Sequence, residues 1–322
     1  MPSESMSHPD RVAATLANLD DARAARPGSD FALPRAGARD CRIADKQLQW
    51  RALQAAARSE RARARLAPFA ADAHPDLWAG TVHDGVARGF AAALEEAIAL
   101  APALPDEPRP PDDPLHSQQF TGKELRKKKD LLVASGGSRV RFSRKEGLLF
   151  KDREGGLHSP NCLRFEARQD RGTLDDFCAD EGERPRLYSA QFLQPQLYVQ
   201  GPGYQELTLR GRFGRGPVTW NCELVLTGID REPTVRLVLR IDNRQQGWRL
   251  RARFLGVPGA AIAHECTDVR EVVLNDAGGF VAFTLVRACG TLLVDGQPVA
   301  VPAAQCPGRI EHRFLLGTIT SA

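Results

Sequence analysis

No apolar run in the chain approaches the roughly 18 residues of a membrane-spanning helix. Its opening, Met1-Pro2-Ser3-Glu4-Ser5-Met6-Ser7-His8, has neither the basic start nor the apolar core of a secretory leader. A soluble, cytoplasmic protein is therefore expected. Cysteine is present in an uninformative pattern: Cys41, Cys162, Cys178, Cys222, Cys266, Cys289 and Cys306 are odd in number, scattered, and never spaced C-x-x-C. Reduced, mostly buried thiols fit that usage better than a zinc or redox centre. A strong net charge is also missing, since 44 Lys and Arg stand against 40 Asp and Glu for a formal +4. Apart from Lys123 to Lys129 the two signs are interspersed, so neither nucleic acid nor membrane is an expected partner. No internal repeat of fixed period is visible.

What the chain does have is enough length and apolar content for two cores, with 322 residues of which 42% are hydrophobic. Residues 1–30 are polar and read as a frayed tail. From Cys41 to Phe69 and from Val82 to Leu100 the composition turns to Ala, Leu, Arg, Glu and Gln, which favour helix. Val86, Phe90, Leu94 and Ile98 recur every fourth residue and mark one buried stripe, so a small helical bundle is expected over residues 31–100. Six prolines between Pro102 and Pro114 cannot lie inside a helix or a central strand, which makes residues 101–119 an extended connector. Beyond it, residues 120–322 read as a large, mostly antiparallel β-sandwich. Its strands are expected at Arg139 to Phe142, Phe192 to Val199, Glu206 to Phe213, Thr219 to Thr227, Val235 to Ile241, Trp248 to Phe254, Phe280 to Arg287 and Arg309 to Leu316. The fold class is thus α+β and multidomain.

The alternation is strictest around residues 235–255. Val235, Leu237, Leu239 and Ile241 give one apolar face, and Trp248, Leu250, Ala252 and Phe254 give another, with Asn243-Arg244-Gln245-Gln246-Gly247 between them. Period two means one buried and one wet face, and the short polar turn predicts a β-hairpin. The parity of Trp248 places it in the core.

Four segments in order resemble the middle and C-terminal parts of the glycoside hydrolase family 38 α-mannosidases. They are Ala73-His74-Pro75-Asp76 running to His83-Asp84-Gly85-Val86; Asn161 to Phe165 leading into Asp170-Arg171-Gly172; Asp242 to Phe254; and Phe283-Thr284-Leu285-Val286-Arg287 running to Ala303-Ala304-Gln305-Cys306-Pro307-Gly308. The resemblance implies a carbohydrate as ligand and Asp76, Asp170 and Arg287 as sugar-contacting residues. It also implies an N-terminal catalytic barrel carrying the nucleophile and zinc ligands. Before Ala73 the sequence offers only helical and disordered-looking residues, with no His-x-Asp pair at a strand end that could begin such a site.

The matched segments depart from the family pattern where the chemistry is. Pro75 stands where the family has a zinc-binding histidine and has no ligand atom, Phe177 or Asp175 stands nearest its active-site tyrosine, and Trp248 replaces a histidine. No catalytic residue and no metal site is assigned. His74 and Asp76 alone fall short of the three protein ligands of a catalytic zinc, so zinc is expected only if a separate catalytic-barrel polypeptide completes the site. The expectation is a carbohydrate-recognising or assembly protein that does not hydrolyse alone; the alternative is one subunit of a split α-mannosidase.

Other clusters have simpler readings. Asp170, Asp175, Asp176, Glu181 and Glu183 offer the carboxylates that glycoside hydrolysis needs, but a solvated acidic loop has the same composition. Asp84 precedes the apolar stripe and suits a helix cap. Arg287, in an apolar strand, needs an ion-pair partner, a sugar hydroxyl or water. Arg210, Arg212, Arg236, Arg240, Arg249, Arg251 and Arg253 would crowd a sheet's outer face, compensated by Glu206, Glu223, Glu232 and Asp242 or meeting an acidic partner.

Overall fold

The computed structural model describes residues 52, 55, 56, 58–71, 84–101, 117–151, 161–173, 177–257, 261–264, 270–273, 279–294, 297–300 and 305–317. The expected tail over residues 1–30 and most of the proline connector lie outside them. The helices whose bounds are defined before the strands are α1 (Glu60–Ala71) and α2 (Asp84–Ala99), and residues 52, 55, 56 and 58 are helical ahead of them. Ser59 caps α1 by accepting a hydrogen bond from the Ala62 amide at 3.3 Å, which satisfies one of the amides the first turn leaves open. Ala62 and Leu66 are buried, as are Ala93, Leu94 and Ala97. Arg65 pairs with Glu96, and the Ser59 hydroxyl donates to the Leu100 carbonyl at 3.0 Å, joining the two helices. No helix among the described residues is long and apolar enough to cross a membrane.

Antiparallel strands, numbered in chain order, make up the rest. A seven-stranded sheet runs in the order β1 (Gln118–Thr121), β7 (Gln194–Gly201), β8 (Tyr204–Arg215), β9 (Val218–Ile229), β10 (Val235–Asn243), β17 (Gly308–Leu316) and β12 (Ile262–His264). A five-stranded sheet runs β13 (Arg270–Val273), β14 (Phe280–Ala288), β11 (Trp248–Leu255), β5 (Leu163–Gln169) and β6 (Arg186–Ser189). Two smaller sheets are β2 (Asp130–Ser135), β3 (Ser138–Ser143) and β4 (Gly147–Lys151), and the pair β15 (Thr291–Val294) and β16 (Gln297–Ala300). A short helix, α3 (Gly122–Lys127), follows β1.

The two large sheets pack face to face as a β-sandwich, because each strand buries its apolar parity and leaves the other outward. Rings meet across the interface: Phe165 and Phe213 at 4.7 Å, Trp220 and Trp248 at 6.0 Å, and Phe254 and Phe314 at 5.4 Å between centroids. The strand β2 lies so close to β9 that a Cβ at Gly228 would sit 2.0 Å from the Ala134 carbonyl oxygen. Ser135 donates its hydroxyl to the carbonyl of Ile229, the last residue of β9, at 2.7 Å. Val133, Val140 and Phe142 thereby join the same core as the sandwich.

The runs expected as strands each fall on one, with β7 starting two residues after Phe192. The hairpin expectation is overturned. β10 pairs with β9 and β17, whereas β11 pairs with β5 and β14, so the polar turn carries the chain from one sheet to the other. Both strands have an apolar face to bury, and placing them in opposite layers buries both against each other. Asn243 makes the corner possible. Only 1% exposed, it accepts from Trp220 Nε1 and from the Gln245 amide, each at 3.1 Å, and donates to the carbonyls of Gln245, Gln305 and Cys306. Gly247 follows with φ +66°, a conformation open to glycine.

Candidate functional site

The structure brings together two of the three residues that the resemblance singles out. Arg287 on β14 donates from Nε to Asp170 Oδ2 at 2.5 Å, and the two side chains are 1% and 0% exposed. They are 117 residues apart in sequence. Arg287 also donates to the Thr173 carbonyl at 2.6 Å, while Asp170 Oδ1 accepts from the amides of Gly172 at 2.9 Å and Cys178 at 3.3 Å. Cys289 Sγ donates to the Gly172 carbonyl at 3.0 Å. A buried charge is tolerated only when paired and hydrogen-bonded, and here both are. The pair therefore clamps the segment after β5 onto the end of the five-stranded sheet. Phe177, nearest the family's tyrosine, lies 3.5 Å beneath the Arg249 guanidinium.

Asp76, His74 and His83 lie outside the described residues, as do Asp175 and Asp176. The side chain of Asp84 does too, although α2 begins at that residue. Among the described residues no three His, Cys, Asp or Glu side chains gather as a set that would hold a zinc ion.

The arginines expected on one face divide between two. Arg249, Arg251 and Arg253 lie on the five-stranded sheet, where Glu166, 3% exposed, binds Arg251 at 2.5 Å and Arg253 at 2.9 Å. Arg210, Arg212, Arg236 and Arg240 lie on the outer face of the seven-stranded sheet, where strand register sets side chains in rows. Arg210, Glu223, Arg240 and Glu311 stand opposite one another across β8, β9, β10 and β17. The next row is Thr208, Val225, Val238 and Arg313, and the one beyond is Glu206, Thr227, Arg236 and Leu315.

The row of alternating charge is a continuous ladder. Glu223 accepts from Arg210, Arg240 and Arg309 at 2.5, 2.8 and 2.9 Å, and Glu311 accepts from Arg240 and Arg313 at 2.7 Å each. Burial alone would raise both carboxyls, but hydrogen bonds from Arg240 with Arg210 or Arg313 hold Glu223 and Glu311 below the usual carboxylate range. Arg240, caught between the two, is held above its ordinary value despite its own burial. Beside this ladder runs an open groove of about 320 Å³ lined by Thr208, Val225, Thr227, Val238 and the surrounding Arg and Glu side chains. Val225 and Val238 stand among its lining, with Thr, Arg and Glu side chains around them.

Sequence reasoning found Arg210, Arg236, Arg240 and Glu223 but missed Glu311, Arg313 and Thr208. Their signal was present in the outward parity of β8 and β17, but the order of the strands was not.

Comparison with protein-family models finds no match, and comparison with curated proteins finds none. Among solved structures the chain is similar to an alpha-mannosidase from Enterococcus faecalis, with 15% identity and a TM-score of 0.47 over 62% of this chain and 30% of that one. It is similar to a second structure from that organism, a protein in the glycosyl hydrolase family 38, with 15% identity and a TM-score of 0.47 over 62% of this chain and 31% of that one. The chain thus spans less than a third of the length of these two structures.

Proposed function

We propose that the chain recognises carbohydrate on the open face of its seven-stranded sheet. In this reading it is related to the non-barrel part of the family 38 α-mannosidases and serves recognition or assembly without cleaving a glycosidic bond alone. The observation that carries the reading is the groove itself. Val225 and Val238 offer apolar surface for the C–H face of a sugar ring, while Thr208, Thr227, the Arg210–Glu223–Arg240–Glu311 ladder and Arg313 supply oriented donors and acceptors for its hydroxyls. Binding sites of this kind combine apolar contact with a few fixed polar groups.

The four ordered segments of sequence resemblance support the family relationship and a carbohydrate ligand, while the residues they single out, Asp76, Asp170 and Arg287, are not among those lining the groove. Within it, Asp170 and Arg287 hold the sheet end in shape, residues 31–100 form the helical unit, residues 101–119 connect, and residues 120–322 are the sandwich.

The test has two arms. Purified chain is assayed against an aryl α-mannoside with zinc or cobalt added, and its retention on immobilised neutral and acidic glycans is measured in parallel. Retention without turnover is expected. Turnover by the chain alone overturns the non-catalytic reading, turnover only on adding a separate barrel polypeptide converts it to a split enzyme, and no retention on any glycan overturns recognition.

A further inference from the structure

We infer that the sugar held on this face is an acidic one, a saccharide carrying a carboxylate on its ring. The inference rests on the carbohydrate reading above and adds the charge of the ligand. Across the four strands β8, β9, β10 and β17 the outward grid holds six arginines and four carboxylates, Glu206, Glu223, Asp242 and Glu311. The flanking residues Glu232, which binds Arg236, and Arg244, which binds Asp242, leave that excess of two positive charges unchanged. Along the groove the four arginines Arg210, Arg236, Arg240 and Arg313 are matched by Glu206, Glu223 and their partners Glu232 and Glu311, so the positive excess lies at the margins of the face, where Arg212 and Arg309 stand.

The geometry favours a carboxylate over a diffuse polyanion. Guanidinium groups bind carboxylates through paired N–H donors in a plane. Here they are held in place by a register-fixed ladder whose acids, Glu223 and Glu311, are 14% and 33% exposed. Arg210 and Arg309, in contrast, keep 63% of their side-chain surface exposed at two margins of the ladder. A ring stacked on Val225 and Val238 would turn its carboxylate towards this row and its hydroxyls towards Thr208 and Thr227. A polymer attracted by charge alone would need none of that apolar surface.

The experiment is titration of the full chain with a tri- or tetrasaccharide of galacturonic acid, followed by calorimetry or by chemical-shift perturbation, beside a neutral mannose oligosaccharide of equal length and a polyglutamate peptide. The uronate oligosaccharide is expected to bind at least tenfold more tightly than the other two and to weaken as salt is raised, since exposed charge contacts are screened within about 10 Å at 0.1 M. Val238→Asp places a carboxylate in the groove beside Arg240 and Arg313 and is expected to abolish binding; Arg210→Gln is expected to weaken it several-fold. Arg144→Gln, in the exposed turn between β3 and β4, is expected to leave it unchanged.

Equal binding of the neutral sugar overturns the acidic ligand and leaves the carbohydrate reading in place. Equal binding of polyglutamate, or uronate binding that survives Val238→Asp in a folded variant, also overturns the inference. No saccharide binding at all removes both.

Discussion

Acidifying the medium from about pH 7 to about pH 5 should destabilise this protein through two buried histidines. His264 on β12 and His312 on β17 are 8% and 0% exposed, with Phe283 and Phe314 packed against them. A carbonyl can only accept, so His312 Nε2 donates to the Leu285 carbonyl at 2.8 Å. Its Nδ1 is then the acceptor for His264 Nε2 at 3.0 Å. Both rings are neutral in this chain of bonds, and a proton added to His312 Nδ1 would face the donor of His264. Burial pulls His312 down to about 4, and burial together with the neighbouring ring holds His264 well below its ordinary value.

Below the unfolded value near 6.5 the unfolded chain binds protons that the native state refuses. Stability is therefore full above that pH and lost as pH falls towards the folded value. For His312 alone the loss between pH 7 and 5 is about 2 kcal/mol, and His264 adds to it in the same direction. Urea denaturation at several pH values across that window measures it, because most carboxylates titrate lower. The double variant His264→Phe/His312→Leu should flatten the slope whatever its absolute stability. A wild-type slope near zero, or one unchanged in the double variant, would refute the reasoning.

Three further outcomes are expected. Arg287→Met leaves Asp170 charged in a buried site and should cost about 3–5 kcal/mol in chemical denaturation; adding Asp170→Asn should recover part of that loss, and a purely additive double variant would mean the two do not interact. Asn243→Ala strips partners from Trp220 Nε1 and from three carbonyls at the sheet-to-sheet corner, so a loss of about 3 kcal/mol and a shift in tryptophan emission are expected; a loss below about 0.5 kcal/mol would make the corner dispensable. Glu223 and Glu311 have lowered folded values, so their contribution is full above about pH 4.5 and fades as pH falls through those values. Arg240→Gln should shrink that acid-side loss between pH 5 and 3, and an unchanged acid limb would place the ladder's effect elsewhere.

The alternation of Val235 to Ile241 and of Trp248 to Phe254 determined by itself that both segments are strands and which face of each is buried. The Ala-rich stretch before Leu100 likewise determined a helix, and Arg287 in an apolar run signalled a charge needing an ion-pair partner, a sugar hydroxyl or water. Tertiary structure decided the rest. It sent β10 and β11 to opposite sheets, divided the arginines into two faces, paired Arg287 with Asp170, and set Arg210, Glu223, Arg240 and Glu311 in one row. The reason is that a period of two specifies which side chains avoid water. The backbone ladder that joins one strand to the next is nearly blind to sequence, so neighbour and register follow from how all the apolar faces close on one another. A binding face assembled from four strands exists only after that closure.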